Sequence, residues 1–155
     1  MYRDRKLRIC LAASAGGHMS QLLKLRECWK GHRTFYVTTA DIVREKLQKY
    51  GEVFVIGECN REHPLWVITV LFRCIRIIRR ERPDVIVSTG AAPGLLMCLS
   101  GKFFGSKVAW IDSIANVERL SLSGRMAKTF ADLFLTQWPE LARPHRNVEY
   151  VGAVI

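Results

Sequence analysis

Residues 7–18 read LRICLAASAGGH, and this stretch decides the fold. Leu7–Ala13 is a mostly apolar run without strict alternation, which is typical of a strand buried on both faces. The small residues and paired glycines that follow indicate a tight turn, and a helical pattern begins at His18. A buried strand that leads through a glycine-rich turn into a helix is the first unit of an α/β domain.

The same alternation of strand and helix continues along the chain. Strands are predicted at Leu7–Ala13, Thr34–Thr38, Glu52–Ile56, Asp84–Ser88, Lys107–Asp112, Asp132–Gln137 and Val148–Val151. Helices are predicted at His18–Lys30, Asp41–Tyr50, Pro64–Arg82, Pro93–Phe104 and Leu120–Phe130. The pattern predicts an α/β fold with a doubly wound, mainly parallel Rossmann-like sheet. A length of 155 residues predicts a single Rossmann-like domain over residues 1–155.

The charge of the chain narrows the classes of partner. Lys and Arg number 24 and Asp and Glu number 14, which gives a net charge of +10. An excess of this sign favours anionic partners: nucleic acid, phosphorylated small molecules or an acidic membrane surface. Nucleic acid is disfavoured, because the sequence has no recognisable binding motif and no aromatic stacking platform.

The cysteines form no recognisable framework. Their number is odd and no two lie in a CxxC motif, which argues against a disulfide scaffold and a zinc ribbon, so no metal site is predicted. Cys10, Cys28, Cys74 and Cys98 are interpreted as small buried apolar residues in a reducing cytoplasm.

No targeting or membrane-spanning segment is predicted. The apolar stretch Ile9–Ala13 is shorter than the roughly 7–15 residues of a signal-peptide core. No apolar run approaches the ~20 residues that a membrane span requires.

Ligands of doubly wound sheets bind beyond the carboxyl ends of the strands, so the turns there carry the candidate site. After the first strand, Gly16 and Gly17 can bring backbone N–H groups close to an anion at a helix N-terminus, with Ser14 beside them. His18 can donate to a phosphate or act as a base. The alternative is a turn that needs glycine for steric reasons, with His18 as a polar residue of the first helical turn. The turn is neither a P-loop nor a GxGxxG dinucleotide motif.

Two later turns offer further polar groups. Ser88, Thr89 and Gly90 follow the fourth strand, where hydroxyl donors and a glycine lead into a helix; the alternative is a loop kept small for packing. Asp112 closes the fifth strand and is followed by Ser113. Its carboxylate can orient a sugar hydroxyl or act as a general base, and the alternative is a capping residue. A related turn, which contains Ser121 and Gly124, offers another hydroxyl and a glycine.

The predicted helix Pro64–Arg82 has a basic face. Its four arginines are Arg73, Arg76, Arg79 and Arg80. Its start is apolar, and the residues predicted to contact lipid are Leu65, Trp66, Ile68 and Phe72, whereas Val70, Leu71, Ile75 and Ile78 are predicted to face the core. An apolar start and a basic stripe suit an interfacial helix on anionic lipid. The alternative is a sheet-packing helix with a solvated arginine face.

Taken in order, these motifs resemble a family of split glycosyltransferases. The matching stretches are Ala13–His18, Arg82–Val87 with Gly90 and Pro93, Asp112-Ser113 with Val117–Gly124, Asp132–Leu135 leading into Gln137–Leu141, and Tyr150–Gly152. The family comprises acceptor-side subunits. It includes the asparagine-linked glycosylation subunit that anchors a UDP-N-acetylglucosamine transferase to the membrane, and the bacterial PssD- and CpsF-type proteins of exopolysaccharide and capsule synthesis.

The resemblance implies one half of a GT-B glycosyltransferase, the N-terminal acceptor-binding half. A separate small subunit would supply the UDP-sugar-binding half, so no further cofactor is expected. The acceptor would be a polyprenyl-diphosphate-linked sugar, and the chain would lie peripherally on the cytoplasmic face of the membrane. The chain alone is expected to be inactive.

The resemblance also implies roles for individual residues. Gly16 and Gly17 would hold the lipid diphosphate, and His18 would hydrogen-bond the phosphate or the acceptor sugar. Asp112 would orient or deprotonate the attacking hydroxyl. The predicted partner surface is Gln137, Trp138, Pro139 and Leu141, an apolar cluster just after a strand. Two alternatives remain, a non-catalytic membrane recruitment module and a self-sufficient nucleotide-binding enzyme.

Overall fold

The computed structural model describes residues 5–59 and 64–154, and its central feature is a parallel sheet. The strands are β1 (Arg8–Ala12), β2 (Arg33–Thr38), β3 (Glu52–Val55), β4 (Val85–Ser88), β5 (Lys107–Ile111), β6 (Leu133–Thr136) and β7 (Glu149–Tyr150). They pair in the order β3-β2-β1-β4-β5-β6-β7, and every pairing is parallel. The predicted doubly wound α/β sheet is confirmed, and each predicted strand is present.

The helices connect the strands as predicted; α1, α2, α3 and α5 are shorter than predicted, and α4 has its predicted length shifted by one residue. They are α1 (Gly17–Lys24), α2 (Arg44–Gln48), α3 (Pro64–Glu81), α4 (Ala92–Phe103), α5 (Leu122–Ala127) and α6 (Pro139–Ala142). The helix predicted over His18–Lys30 is α1 followed by a 3₁₀ turn at Arg26–Trp29. The helix predicted over Asp41–Tyr50 is a 3₁₀ turn followed by the single turn of α2. The sequence did not predict α6, whose four residues are too few for a helical period.

Two apolar layers enclose the sheet. On one face, side chains of α3, α4 and α5, such as Cys74, Met97 and Ala127, pack with strand residues that include Trp110. On the other face, Leu22 of α1 and Leu47 of α2 pack against alternate strand residues. The chain therefore changes faces between β1, which leads into α1, and β4, which leads into α4. In open α/β sheets such a switch point forms the crevice in which ligands bind.

The face covered by α1 is open beside β5 and β6. A cleft of about 380 Å³ lies there, and Ile111, Leu133, Leu135 and the tail 151–154 line it.

Cysteine burial differs from the prediction at one position. Cys10, Cys74 and Cys98 lie in the core, where burial raises the pKa of each thiol, to about 12 for Cys74. Cys28 is exposed in the 3₁₀ turn after α1, so its interpretation as a buried residue is wrong. The described residues contain no group of His, Cys, Asp and Glu that could hold a metal ion.

Asp132 ties β5 to the start of β6. Its carboxylate accepts hydrogen bonds from Lys102 Nζ (2.8 Å), Val108 N (2.9 Å) and Lys107 Nζ (3.1 Å). Burial by itself raises the pKa of this carboxyl, but the three donors outweigh it and lower the pKa to about 2. The charged form therefore stabilises the fold.

Replacing this carboxylate gives a pH-dependent loss of stability. We expect Asp132→Asn to reduce the free energy of unfolding by about 1 kcal/mol at pH 7, a figure that allows for partial exposure of the side chain. Because the folded-state pKa is depressed, the stabilisation is present above pH 4 and is lost as the pH falls toward 2. Urea denaturation at several pH values measures the difference, with the exposed Glu118→Gln as control. A difference that persists unchanged at pH 2 would contradict this account.

Candidate functional site

The glycine-rich turn after β1 is held from both sides by the ends of the neighbouring strands. On the β2 side, Ala15 N donates to Thr39 Oγ1 at 3.0 Å. On the β4 side, His18 Nδ1 lies 2.9 Å from the carbonyl oxygen of Thr89, and Thr89 Oγ1 donates to His18 O at 2.7 Å. The turn is thus fixed at the crevice between β1 and β4, where the chain changes from one face of the sheet to the other. Sequence reasoning missed Thr39, although its place directly after β2 puts it at this edge.

The predicted anion-binding glycines lie exposed at the start of α1. Gly16 has a φ of 105°, a left-handed conformation that favours glycine. Gly17 has ordinary dihedrals, and a Cβ atom added there would meet no atom within 4 Å. Internal packing therefore does not require glycine at position 17. Ser14 and His18 are half-buried beside these glycines.

The hydroxyls of the β4 turn are not available to a ligand as predicted. Ser88 and Thr89 are both 0% exposed. Ser88 Oγ accepts from Gly90 N at 3.3 Å and lies directly beneath Gly94, where a Cβ would collide with it. The prediction that Ser88, Thr89 and Gly90 contact a phosphate is therefore corrected: their polar groups are used within the turn and on His18.

Asp112 is a buried carboxylate with internal partners. It is 1% exposed. Its Oδ1 accepts from Trp110 Nε1 (3.2 Å) and Ser121 Oγ (2.6 Å), and its Oδ2 accepts from Ser121 N (2.9 Å). The assignment of Asp112 as a general base is not supported, because its lone pairs point to donors of its own chain. It fixes the start of α5, which was the structural alternative.

The other polar residues of this loop are also used internally. Ser121 Oγ caps α5 by accepting from Gly124 N at 2.8 Å, and Gly124 is buried against Asp112. Ser113 is 8% exposed, and its Oγ accepts from Ala115 N. The predicted ligand role of Ser113, Ser121 and Gly124 is corrected to loop positioning.

The predicted partner surface lies mostly inside the molecule. Gln137 is 3% exposed and its side-chain amide donates to Gln21 Oε1 and to Asp112 O, while Leu141 is 8% exposed within the core. The prediction is wrong for these two residues, because buried side chains offer no surface. Trp138 is half-buried and donates through Nε1 to Ile114 O at 2.8 Å, so it anchors the loop after β5. Pro139 is half-buried beside it.

The predicted division of α3 into two faces agrees with the exposures. The residues predicted to contact lipid are exposed: Leu65 74%, Trp66 58%, Ile68 51% and Phe72 68%. Val70 and Ile78 are buried at 2% each, whereas Leu71 and Ile75 are only half-buried. Among the described residues, no helix combines the length and the apolar character that a membrane span needs.

The arginines of α3 do not form one uniform stripe. A cleft of about 370 Å³ beside the edge strand β3 is lined by Arg73, Arg76 and Arg80, and Arg44 of α2 joins them. Arg79 faces a different cleft near Arg82. Arg73 Nη1 donates to Ile56 O at 2.8 Å, and Arg80 forms ion pairs with Glu52 and Glu81. The sequence did not indicate Arg44, because only the tertiary structure brings it to this cleft.

The fold defines a class of protein when it is compared with solved structures. The MurG protein of Acinetobacter baumannii superposes with a TM-score of 0.78 at 14% sequence identity. The match covers 95% of this chain but 46% of MurG, so the chain spans slightly less than half the length of that structure. The fold is that of one half of a GT-B glycosyltransferase.

Sequence relatives identify the family. The model of the family described as "Oligosaccharide biosynthesis protein Alg14 like" matches residues 55–154. The UDP-N-acetylglucosamine transferase subunit ALG14 of Candida albicans is 33% identical over 175 residues, which cover 97% of this chain and 80% of that protein. The subunit alg14 of Schizosaccharomyces pombe is 43% identical over 77 residues, 46% of this chain and 37% of that protein. The chain belongs to the Alg14 family, which confirms the resemblance drawn from the motifs.

Replacing Asp112 tests its structural role. We expect Asp112→Asn to destabilise the fold by about 2 kcal/mol, because an amide NH₂ would face a donor where the carboxylate accepts. Urea denaturation measures the loss, and Asp41→Asn is the matched control, because the Asp41 carboxylate binds Arg44 at the exposed surface. Unchanged stability with lost transfer activity would instead restore Asp112 as a catalytic base.

Proposed function

We propose that this chain is the acceptor-binding subunit of a two-chain inverting glycosyltransferase. The reaction transfers a sugar from a UDP-sugar to a polyprenyl-diphosphate-linked acceptor, in polysaccharide or lipid-linked oligosaccharide biosynthesis. The observation that carries the proposal is the exposed glycine turn, with His18 beside it, at the crevice edge of a fold that this chain shares with MurG. The relatives are named as subunits of a UDP-N-acetylglucosamine transferase, which supports a second, donor-binding subunit.

The exposed start of α1 suits the anionic part of the acceptor. Free N–H groups at a helix N-terminus and the helix dipole favour a diphosphate there. Gly16 and Gly17 leave this backbone open, and a Cβ at either position would meet no atom within 4 Å. The net charge of +10 raises the local concentration of such an anion.

His18 is the proposed general base. It takes the proton of the attacking acceptor hydroxyl, whose oxygen then forms a bond to the anomeric carbon of the donor sugar. The bond from that carbon to UDP breaks and the UDP leaves with the electron pair, so the anomeric configuration inverts. Asp112 is not proposed as the base, because its carboxylate accepts hydrogen bonds from Ser121 and Trp110.

The exposed start of α3 is the proposed membrane surface. Because α3 follows β3, its first turns lie at the same edge of the sheet as His18, and Trp66 lies with Ile56 and Gly57 just beyond β3. Leu65, Ile68 and Phe72 are exposed, so they can enter the membrane interface without any change in the packing of the core. The arginines farther along α3 would meet lipid phosphates. A membrane at this edge would bring a lipid-linked acceptor to the glycine turn.

A reconstituted complex tests the proposed reaction and the base. With a co-purified donor-binding subunit, UDP-N-acetylglucosamine and a polyprenyl-diphosphate sugar, we expect transfer, and we expect none from this chain alone. His18→Ala should lower kcat/KM at least tenfold, about 1.4 kcal/mol of transition-state stabilisation, with little change in melting temperature.

The matched control is His32→Ala, because His32 lies exposed before β2, at the opposite edge of the sheet. Robust transfer by the single chain would reject the two-chain proposal in favour of a self-sufficient enzyme. Full activity of His18→Ala in the complex would reject the base and favour a recruitment module.

Liposome flotation tests the membrane surface. We expect binding to vesicles rich in phosphatidylglycerol and weak binding to phosphatidylcholine vesicles, since each basic residue near an anionic surface contributes about 1 kcal/mol. Replacing the four arginines of α3 with glutamine should abolish the preference, and Leu65→Ser with Phe72→Ser should weaken binding to both. Lys24→Gln with Lys30→Gln is the control, because these exposed charges lie on the opposite face of the sheet. Equal binding to both vesicle types would reject the electrostatic part, and no binding would leave α3 as a sheet-packing helix.

A further inference from the structure

The turn that follows β4, at Thr89 and Gly90, contacts His18 in three ways. The carbonyl oxygen of Thr89 lies 2.9 Å from His18 Nδ1. The hydroxyl of the same threonine donates to the backbone carbonyl of His18 at 2.7 Å. Gly90 lies against the imidazole ring itself, because a Cβ there would come within 2.6 Å of His18 Cε1 and 2.8 Å of Nδ1. The ring of His18 therefore rests on the turn of the adjacent strand.

The first contact fixes the tautomer of the neutral imidazole. A carbonyl oxygen only accepts hydrogen bonds, so the proton shared with Thr89 belongs to His18 Nδ1. In the neutral ring the lone pair is then on Nε2. A histidine in this tautomer can accept a proton through Nε2.

The second contact holds this carbonyl in place. Thr89 is 0% exposed, and its hydroxyl reaches back to the residue whose ring its own carbonyl binds. Two bonds between the same two residues allow less rotation than one. The following backbone is restricted as well, since Gly90 has a φ of 137° and Ala91, a non-glycine residue, has a φ of 67°. Left-handed backbone at a non-glycine residue is costly and persists only where the surroundings require it.

We propose that Thr89 and Gly90 are positioning residues for His18. Thr89 sets the Nδ1–H tautomer, which leaves the lone pair on Nε2, and Gly90 provides the space in which the ring lies. This inference rests on the proposed function, in which Nε2 takes the proton of the acceptor hydroxyl. It replaces the phosphate-binding role predicted for these two residues.

The tautomer is tested on the chain itself by long-range ¹H–¹⁵N NMR of the imidazole, which distinguishes a protonated Nδ1 from a protonated Nε2. We expect the Nδ1–H tautomer for His18 in the unaltered protein. A neutral His18 with its proton on Nε2 would overturn the proposal, whatever the activity of the complex. Because this readout needs no substrate, it also stands if the proposed glycosyl transfer fails.

Substitutions test the two positioning residues in the reconstituted complex. Thr89→Val keeps the branched shape and removes the hydroxyl, and we expect kcat to fall about tenfold with little change in the donor KM. Thr89→Ser restores the hydroxyl and should return kcat to within about twofold of the original. Full activity of Thr89→Val, or failure of serine to rescue it while the protein stays folded, would overturn the role of Thr89.

Gly90→Ala displaces the ring directly, and its control separates this effect from backbone strain. Gly105 has a φ of 92° and a Cβ there would meet no atom within 4 Å, so Gly105→Ala imposes left-handed strain without touching His18. We expect both variants to lose stability, and only Gly90→Ala to lose kcat, by about tenfold or more, and to change the His18 NMR signals. Equal activity of the two variants would overturn the role of Gly90.

Discussion

The arrangement of the site depends on the parallel pairing of β1 with both of its neighbours. Ala12 at the end of β1 is in register with Val37 of β2 and with Ser88 of β4, so the three strands end at nearly the same level. The residues that follow β2 and β4 can then reach the turn that follows β1. Thr39 binds one end of that turn and Thr89 the other. A shift of one residue in either pairing would turn the alternating side chains to the opposite face and would separate these partners.

The polar residues at the carboxyl edge divide into two groups by burial. Thr89, Asp112 and Gln137 are buried, and each has hydrogen-bond partners within the chain. A buried polar group without a hydrogen-bond partner costs free energy. These three residues therefore stabilise the loops around them and are not candidates for ligand binding. Gly16 and Gly17 are exposed and His18 is half-exposed, and they form the part of the edge that can meet a substrate. Burial therefore reduces the predicted ligand-binding residues at this edge to those of the turn after β1.

Two features distinguish the surface of the described residues: the exposed apolar start of α3 and the cleft lined by arginines beside β3. The apolar residues belong to a helix that packs on the face opposite to α1. The arginine cleft lies at the β3 edge of the sheet and takes residues from both α2 and α3. Part of the positive charge therefore lies at this edge, where Arg44, Arg73, Arg76 and Arg80 line one cleft.

The sequence by itself determined the order of the strands and of α1 to α5, the fold class and the family. These follow from local patterns: the apolar run at Leu7–Ala13 and the glycine turn are complete within a few neighbouring residues. The exposed and buried sides of α3 could also be predicted, because helical periodicity is local. The sequence likewise indicated Gly16, Gly17 and His18 as the candidate site.

Only the tertiary structure decided which polar residues are free to act. Asp112 and Ser121 are nine positions apart, His18 and Thr89 are 71 apart, and Gln21 and Gln137 are 116 apart. Hydrogen bonds over such separations depend on which strands become neighbours and on how they are aligned, and no local pattern records that. Asp112 therefore has the same appearance in the sequence whether it is a base or a buried anchor, and its partners in the folded chain make it an anchor.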